Sequence, residues 1–365
     1  RNFREGEFEG HQLITGQTMS EQILIKKDTC YACAVRCKRV VQVKESAWGS
    51  VDPAYGGPEY ETLAALGSNE GVSDLIALAK ANELSAALGL DSISTGAVIA
   101  FAMEAFEKGL ISQKDTDGLE LRFGNAGAML EMVEKIGRRE GFGDLLAEGV
   151  MRAAEKIGGS DIALHVRGQE IPMHEPRLKA ALGLGYAVSP TGADHEHNIH
   201  DTGFVKETEG LRWLQAYDGS AKPLPASDLS AEKVKLFRLE SNRMHWLDTL
   251  VMCHFLPYSP QQLTDVTNAV TGWDMTPLDY LQVGERAMTL GRMFMIREGL
   301  DGASDSLPKR FFQKFASGPL TNVDYTEERF GAALVEYYAQ SGWDASGRPT
   351  KEKLTELGIA WAGQG

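Results

Sequence analysis

Cysteine is scarce in this chain, with four residues in 365. That is too few for a disulfide-stapled secreted scaffold, which relies on dense crosslinking because its core is small. Basic residues are in deficit as well: 37 Lys and Arg stand against 51 Asp and Glu, for a net charge of -14. A chain of that sign repels phosphate backbones and anionic membrane surfaces unless a basic stripe offsets it, and none is visible. The one local cluster, Arg36, Lys38 and Arg39, is short and reads as a solvated loop. Long apolar runs are missing too. The most hydrophobic stretch, from Ala97 to Ala105, already meets Glu104 and falls far short of the roughly 20 residues that span a bilayer. Nucleic acid and membrane are thereby excluded as main partners, and a cytoplasmic location is expected. The first residues, Arg-Asn-Phe-Arg-Glu-Gly-Glu-Phe, place acids where an export signal needs basic and then apolar residues. The absence of an initiating Met points to processing or to a fragment.

What the chain does have is apolar content of 43% and repeated helix punctuation. Ser73 and Asp74 open a periodic stretch that closes at Gly89. Thr95 to Lys108 stops at Gly109, Ala126 to Glu140 at Gly141, and Asp144 to Ile157 at Gly158. The stretch from Leu164 to Asp201 is rich in Gly, Pro and His without a sustained helical period, and reads as a site-forming connection. Helices resume over Ser230 to His254, after the capping-box-like Thr276-Pro277-Leu278-Asp279, and over Thr326 to Ser341. These signals predict a mainly α fold of two helical domains, residues 1–164 and 165–365.

The cysteines form a tight trio, Cys30-x-x-Cys33-x-x-x-Cys37, and a distant single, Cys253. Three thiolates at that spacing converge on one face of a compact loop, and a fourth ligand from elsewhere closes a [4Fe-4S] cluster with no thiol left over. Zinc bound by four cysteines is the nearest rival, although structural zinc sites usually come as two Cys-x-x-Cys knuckles and the second is absent. Disulfides remain a further reading of an even count.

Other segments carry a family resemblance. Gly57-Pro58-Glu59-Tyr60-Glu61-Thr62-Leu63, then Leu66-Gly67-Ser68-Asn69, Ala81-Asn82-Glu83-Leu84 and Gly89-Leu90-Asp91-Ser92-Ile93-Ser94-Thr95-Gly96 make one series. His174-Glu175-Pro176-Arg177, Gly183-Leu184-Gly185-Tyr186-Ala187 and Ser189-Pro190-Thr191-Gly192-Ala193-Asp194-His195 make a second, and Asp248-Thr249-Leu250-Val251-Met252-Cys253 the third. In this order they resemble the C-terminal helical domains, domains 2 and 3, of the tungsten-containing aldehyde ferredoxin oxidoreductases.

The resemblance implies that Cys30, Cys33, Cys37 and Cys253 are the cluster's metal ligands. It implies that a tungsten or molybdenum bis-pterin is contacted through Gly89, Leu90, Asp91 and Asp248, although the first motif's leading Asp is Ala86 here and the second motif's Gly-Leu is Val251-Met252. Glu61 and His195 correspond to the carboxylate and imidazole that approach the metal, and His174 to a residue facing the substrate. The reaction implied is aldehyde oxidation to a carboxylic acid, with electron transfer through the cluster to ferredoxin. Relatives carry a preceding sheet-containing domain as the pterin base, and no strand-rich stretch here plays that part. That N-terminal domain is therefore an expected partner of this chain. A homodimer stays open, but Lys80 stands where some relatives place a carboxylate for an intersubunit metal. Bland readings remain beside these: Glu61 as a helix cap, the His195, His197 and His200 group as a polar loop or zinc site, and the chain as an electron-transfer or interaction module without its own pterin. A related pterin enzyme acting on another carbonyl, such as an aromatic thioester, is the other alternative.

Overall fold

The computed structural model describes residues 1–363 and is mainly α. The described chain divides into two compact units, one of residues 1–173, 308–310 and 314–322, the other of residues 174–307, 311–313 and 323 onward.

The first unit begins with α1 (Gly16–Gln22) and an antiparallel hairpin of β1 (Leu24–Asp28) and β2 (Lys38–Val41), closed by the pair Asp28↔Lys38. A single turn, α2 (Tyr60–Leu63), leads into a wider turn in which Asn69 N–H reaches back to Ala64 O, a five-residue bond. Widened helical turns of this kind are rare and recur at functional sites. The core is α3 (Leu75–Leu88), α4 (Ser92–Glu107) and α5 (Ala126–Arg138), followed by α6 (Phe142–Leu146), α7 (Val150–Ile157) and the two-residue strands β3 (His165–Val166) and β4 (Gln169–Glu170). Asp74 caps α3 by accepting from the Ile76 and Ala77 amides at 3.0 Å, and Gly89 ends it at φ 69°. Asp91 caps α4, which is buried without interruption from Thr95 to Ala105. Such burial requires Gly96, because a Cβ there would sit 2.6 Å from the Ala65 carbonyl carbon. Glu104 is the one acid in that buried run. Its carboxylate receives two Arg310 N–H bonds at 2.6 and 2.8 Å and the Asn2 amide at 2.7 Å. Buried Glu170 performs a similar task, accepting from Ser94 Oγ and Val150 N–H at 2.8 Å each and so tying β4 to α4 and α7. The helix expected over Asp144 to Ile157 is two helices, because Gly149 at φ 85° breaks it.

The second unit contains α8 (Ala180–Val188), α9 (Glu209–Gln215), α10 (Ala231–Thr249), α11 (Pro260–Thr271), α12 (Pro277–Arg297), α13 (Glu327–Gln340) and α14 (Lys351–Glu356). Its spine is the pair α10 and α12. They cross so closely at Gly284 that a Cβ would lie 1.8 Å from the Asn242 carbonyl oxygen. Trp246 stacks on Tyr280 beside that crossing, with ring centroids 4.9 Å apart and planes 9° from parallel. The capping box at Thr276 and Asp279 starts α12 as expected. Helix α10 ends at Thr249, earlier than the periodicity suggested, and Val251 at φ 57° turns the chain so that Cys253 lies on a loop. No single described helix is long and apolar enough to cross a membrane.

Candidate functional site

In the first unit, three candidate groups are each positioned by local backbone geometry. The hairpin strands hold the ends of loop 29–37, which bears Cys30, Cys33 and Cys37. Cys33 N–H donates to Cys30 O at 3.1 Å, and the Thr29 hydroxyl is within reach of the Cys30 and Cys33 carbonyls. Ala32 and Arg36 adopt φ 55°, which folds the loop back twice within a few residues. All four cysteines are free thiols: Cys30, Cys37 and Cys253 are exposed and Cys33 is half-buried. Free thiols on a tight loop are the donor set an iron–sulfur cluster needs, so the residues fit that group.

Glu61 lies on α2. Its Oε2 accepts the Met173 N–H at 2.8 Å, while the neighbouring Tyr60 hydroxyl donates to the Met173 carbonyl at 2.6 Å. The main chain on both sides of one residue, Met173, is thus held by neighbouring side chains, which orients the Glu61 carboxylate. Burial pushes the Tyr60 phenol up to about 12, which keeps it a hydrogen-bond donor. Gly89, Leu90 and Asp91 form the corner between α3 and α4. A Cβ at Gly89 would meet nothing within 4 Å, and Asp91 is exposed even as its Oδ1 accepts the Ser94 N–H at 2.7 Å. The corner is therefore open, with the Asp91 carboxylate at its edge.

In the second unit, the histidines sort themselves into two groups. His174, His195 and His200 cluster, with ring centroids 4.9 Å apart for His174 and His195, 4.7 Å for His174 and His200, and 6.1 Å for His195 and His200. Lys179 joins them, its Nζ 2.9 Å from His174 Nδ1 and 3.0 Å from His200 Nδ1. His197 turns elsewhere, to Ser189 Oγ at 2.8 Å and to the His245 ring at 4.6 Å. The trio His195, His197 and His200 therefore does not converge on one centre. His195 Nε2 lies 3.1 Å from Glu196, whose carboxylate is held far below its ordinary value by His195 and then His254. Asp248 is engaged within the protein: it accepts from His254 Nε2 at 2.8 Å. That bond, followed by a hydrogen bond to Glu196, raises the His254 pKa to about 9.

Sequence reasoning missed Lys179, His200 as a partner of His174, and His254. A Lys or His without motif spacing gives no signal until the fold brings it beside another group.

Two of these imidazoles govern an acid response. Burial first, then the charge of Lys179, lowers His200 to about 3, and burial with His197 lowers His245 to about 4. Each is neutral in the folded chain but takes up a proton near pH 6.5 once unfolded. The contribution of these two rings to stability is therefore full above pH 6.5 and is lost as the pH drops from 6.5 toward those folded values, by up to about 1.4 kcal/mol per pH unit for each ring. Urea titrations at pH 7, 6 and 5 should show this decline, and His245→Gln should flatten it. A wild-type midpoint independent of pH over that window would contradict the assignment.

The chain is thus mainly helical, with free thiols on a hairpin loop in one unit and an imidazole–lysine cluster in the other. Comparison with known proteins gives the family. Residues 1–359 match the family model described as aldehyde ferredoxin oxidoreductase, domains 2 and 3, and the chain belongs to that family. It is 37% identical over 368 residues to the tungsten-containing aldehyde ferredoxin oxidoreductase of Pyrococcus furiosus, covering 99% of this chain and 57% of that protein. Against the enzyme of the same description from Thermococcus kodakarensis the identity is 36%, with 99% and 57% covered. A Pyrococcus furiosus aliphatic sulfonate oxidoreductase, WOR-like subunit, is 30% identical over 99% of this chain and 55% of its own length. The chain thus spans a little over half the length of these relatives. Among solved structures, the active-site complex BamBC of benzoyl coenzyme A reductase with 1,5-dienoyl-CoA shares the fold, with TM-score 0.76 and 22% identity over 95% of this chain and 55% of that one. The chain is a member of an oxidoreductase family.

Proposed function

We propose that this chain forms the cluster-bearing helical part of a tungsten or molybdenum bis-pterin oxidoreductase that oxidises aldehydes to carboxylic acids, with ferredoxin as electron acceptor in the cytoplasm. The carrying observation is the hairpin loop that presents Cys30, Cys33 and Cys37 as free thiols in a chain of this family. With Cys253 they would hold one [4Fe-4S] cluster, and Gly89, Leu90, Asp91 and Asp248 would contact the pterin, whose base is supplied by an N-terminal domain as in the relatives. When bound, the metal–pterin group accepts the two electrons released and the cluster passes them on singly.

The chain's own residues bind, orient and move protons. Glu61, oriented by Met173 N–H, takes the proton from the attacking water or aldehyde hydrate. His195 and His174 donate hydrogen bonds to the carbonyl oxygen as negative charge grows on it.

Anaerobically purified protein should contain about four irons per chain and show a broad visible absorbance that bleaches on reduction. Cys253→Ser should lose most of it. Stoichiometric zinc without iron would sink the cluster assignment. Fold similarity to a benzoyl coenzyme A reductase keeps a second substrate class in view. Assaying the protein together with its pterin-base domain against aliphatic and aromatic aldehydes and an aromatic thioester separates the two.

A further inference from the structure

Lys179 belongs to none of the motifs that mark the family resemblance. Its Nζ lies 2.9 Å from His174 Nδ1 and 3.0 Å from His200 Nδ1. An ammonium has three N–H donors and no acceptor, so both Nδ1 atoms receive its hydrogen bonds. The ring proton of each neutral imidazole must then sit on Nε2. His200 also has a hydrogen bond to the His195 backbone. The His174 and His200 rings meet edge to face at 86°. His200 is thus a brace: it occupies one ammonium N–H and aims another at His174.

The backbone supports the same placement. Lys179 stands at the N-cap position of α8, its own N–H bonded to Glu175 O at 2.9 Å. Buried Asp201, next to His200 in sequence, accepts from the Ala181 and Leu182 amides at 3.3 and 3.0 Å. The lysine and its brace therefore hang from one rigid corner.

We infer that Lys179 is a positioning residue that locks His174 in its Nε2–H tautomer, so that His174 serves the substrate as a hydrogen-bond donor and not as a base. The lock depends only on this cluster's geometry, whereas the catalytic consequence rests on the carbonyl chemistry proposed above. A donor tautomer fixed before substrate arrives needs no reorganisation as the oxyanion forms.

The test reads tautomers directly. The complete chain, labelled with 15N-histidine and with its cluster oxidised, is studied by long-range proton–nitrogen correlation at neutral pH. His174 should show a protonated Nε2 and an acceptor Nδ1. In Lys179→Met the His174 pattern should become a tautomer average, while Lys179→Arg, also a donor without acceptor, should restore it. His197 and His245 signals report whether each variant keeps its fold. A protonated Nδ1 on wild-type His174, or an unchanged His174 pattern in folded Lys179→Met, overturns the lock.

Turnover is then compared in protein loaded with its metals. Lys179→Met should lower kcat roughly 10- to 100-fold with little change in KM, as is usual when a hydrogen-bonded partner behind a reacting residue is removed, and Lys179→Arg should recover part of the loss. An unchanged kcat would overturn the catalytic role while the tautomer data stand. Wild-type protein inactive on every aldehyde would count against the proposed reaction and leave the lock intact.

Discussion

Replacing Glu61 with Gln should lower kcat on a saturating aldehyde by roughly 10²- to 10⁴-fold, the range lost with a positioned proton acceptor. The substitution is nearly isosteric. A glutamine carbonyl can still accept the Met173 N–H that now meets Oε2 at 2.8 Å, so α2 and its grip on Met173 should survive. What disappears is the ability to take a proton. His195→Asn tests the complementary role, keeping an N–H donor but losing the ring, and should give a loss of similar size. Iron and tungsten contents should be unaffected in both, since neither side chain is proposed to bind metal. The comparison belongs on kcat, because a change confined to KM would mean weaker binding with the chemistry intact. Near-normal kcat in fully loaded Glu61→Gln would remove Glu61 from the mechanism. Glu59 would be the next acid along, but it is an exposed residue paired with Arg39, a poorer setting for a base than the oriented carboxylate of Glu61.

The helices that can be read from sequence are those whose ends carry their own chemistry. Asp74 with Gly89, Asn125 before α5, and Thr276 with Asp279 each satisfy terminal amides or carbonyls locally, so their signals do not depend on the rest of the fold. Helix α8 escapes because Ala-Ala-Leu-Gly-Leu-Gly-Tyr-Ala-Val is buried on every side, leaving no polar face to set a period. The hairpin around the cysteine loop escapes for the opposite reason. Three of the five residues of β1, Ile25, Lys26 and Lys27, are exposed, and its strand pairing is declared only by the register with β2. Helix α10 stops at Thr249, short of the expected His254, where a positive φ at Val251 turns the chain. A backbone conformation that costs a β-branched residue energy leaves no compositional trace.

The candidate site divides along the same line. Cysteine spacing exposes a metal-binding loop without any structure, because thiolate geometry constrains sequence separation directly. The orientation of Glu61 by Met173 joins positions 112 residues apart, and nothing local announces it. Lys179 and His200 are 21 residues apart and gain their relation only when α8 and the following loop fold onto each other. Spacing rules find ligands of a compact centre; they do not find groups that work by holding another side chain in one tautomer.

The fold supplies that orientation through a buried charge pair, and breaking it should have the largest effect on stability. Lys233 on α10 and Asp201 are both fully inaccessible, with Nζ 3.0 Å from Oδ1. Asp201 also collects the Ala181 and Leu182 amides, so one carboxylate joins α10, the first turn of α8 and the loop after His200. Burial pushes the Asp201 pKa up, and the Lys233 charge opposes that shift. Lys233→Met keeps most of the side-chain volume but strands the carboxylate with two amides and no cation. Removing one partner of a buried pair in this way typically costs about 3–5 kcal/mol. Urea denaturation at pH 7 should show the midpoint falling by that equivalent with the slope unchanged. Asp201→Asn alone should also be costly, because it leaves a buried ammonium without its counter-charge. The double variant Lys233→Met/Asp201→Asn should recover much of the loss, since an uncharged amide facing a thioether no longer strands a charge in the core. The His174 and His200 tautomer signals should blur in either single variant and sharpen again in the double one. If Lys233→Met is as stable as wild type, or if the double variant is no better than the sum of the two single ones, the pair does not organise this corner, and the lysine–histidine cluster must take its rigidity from the packing of α8 alone.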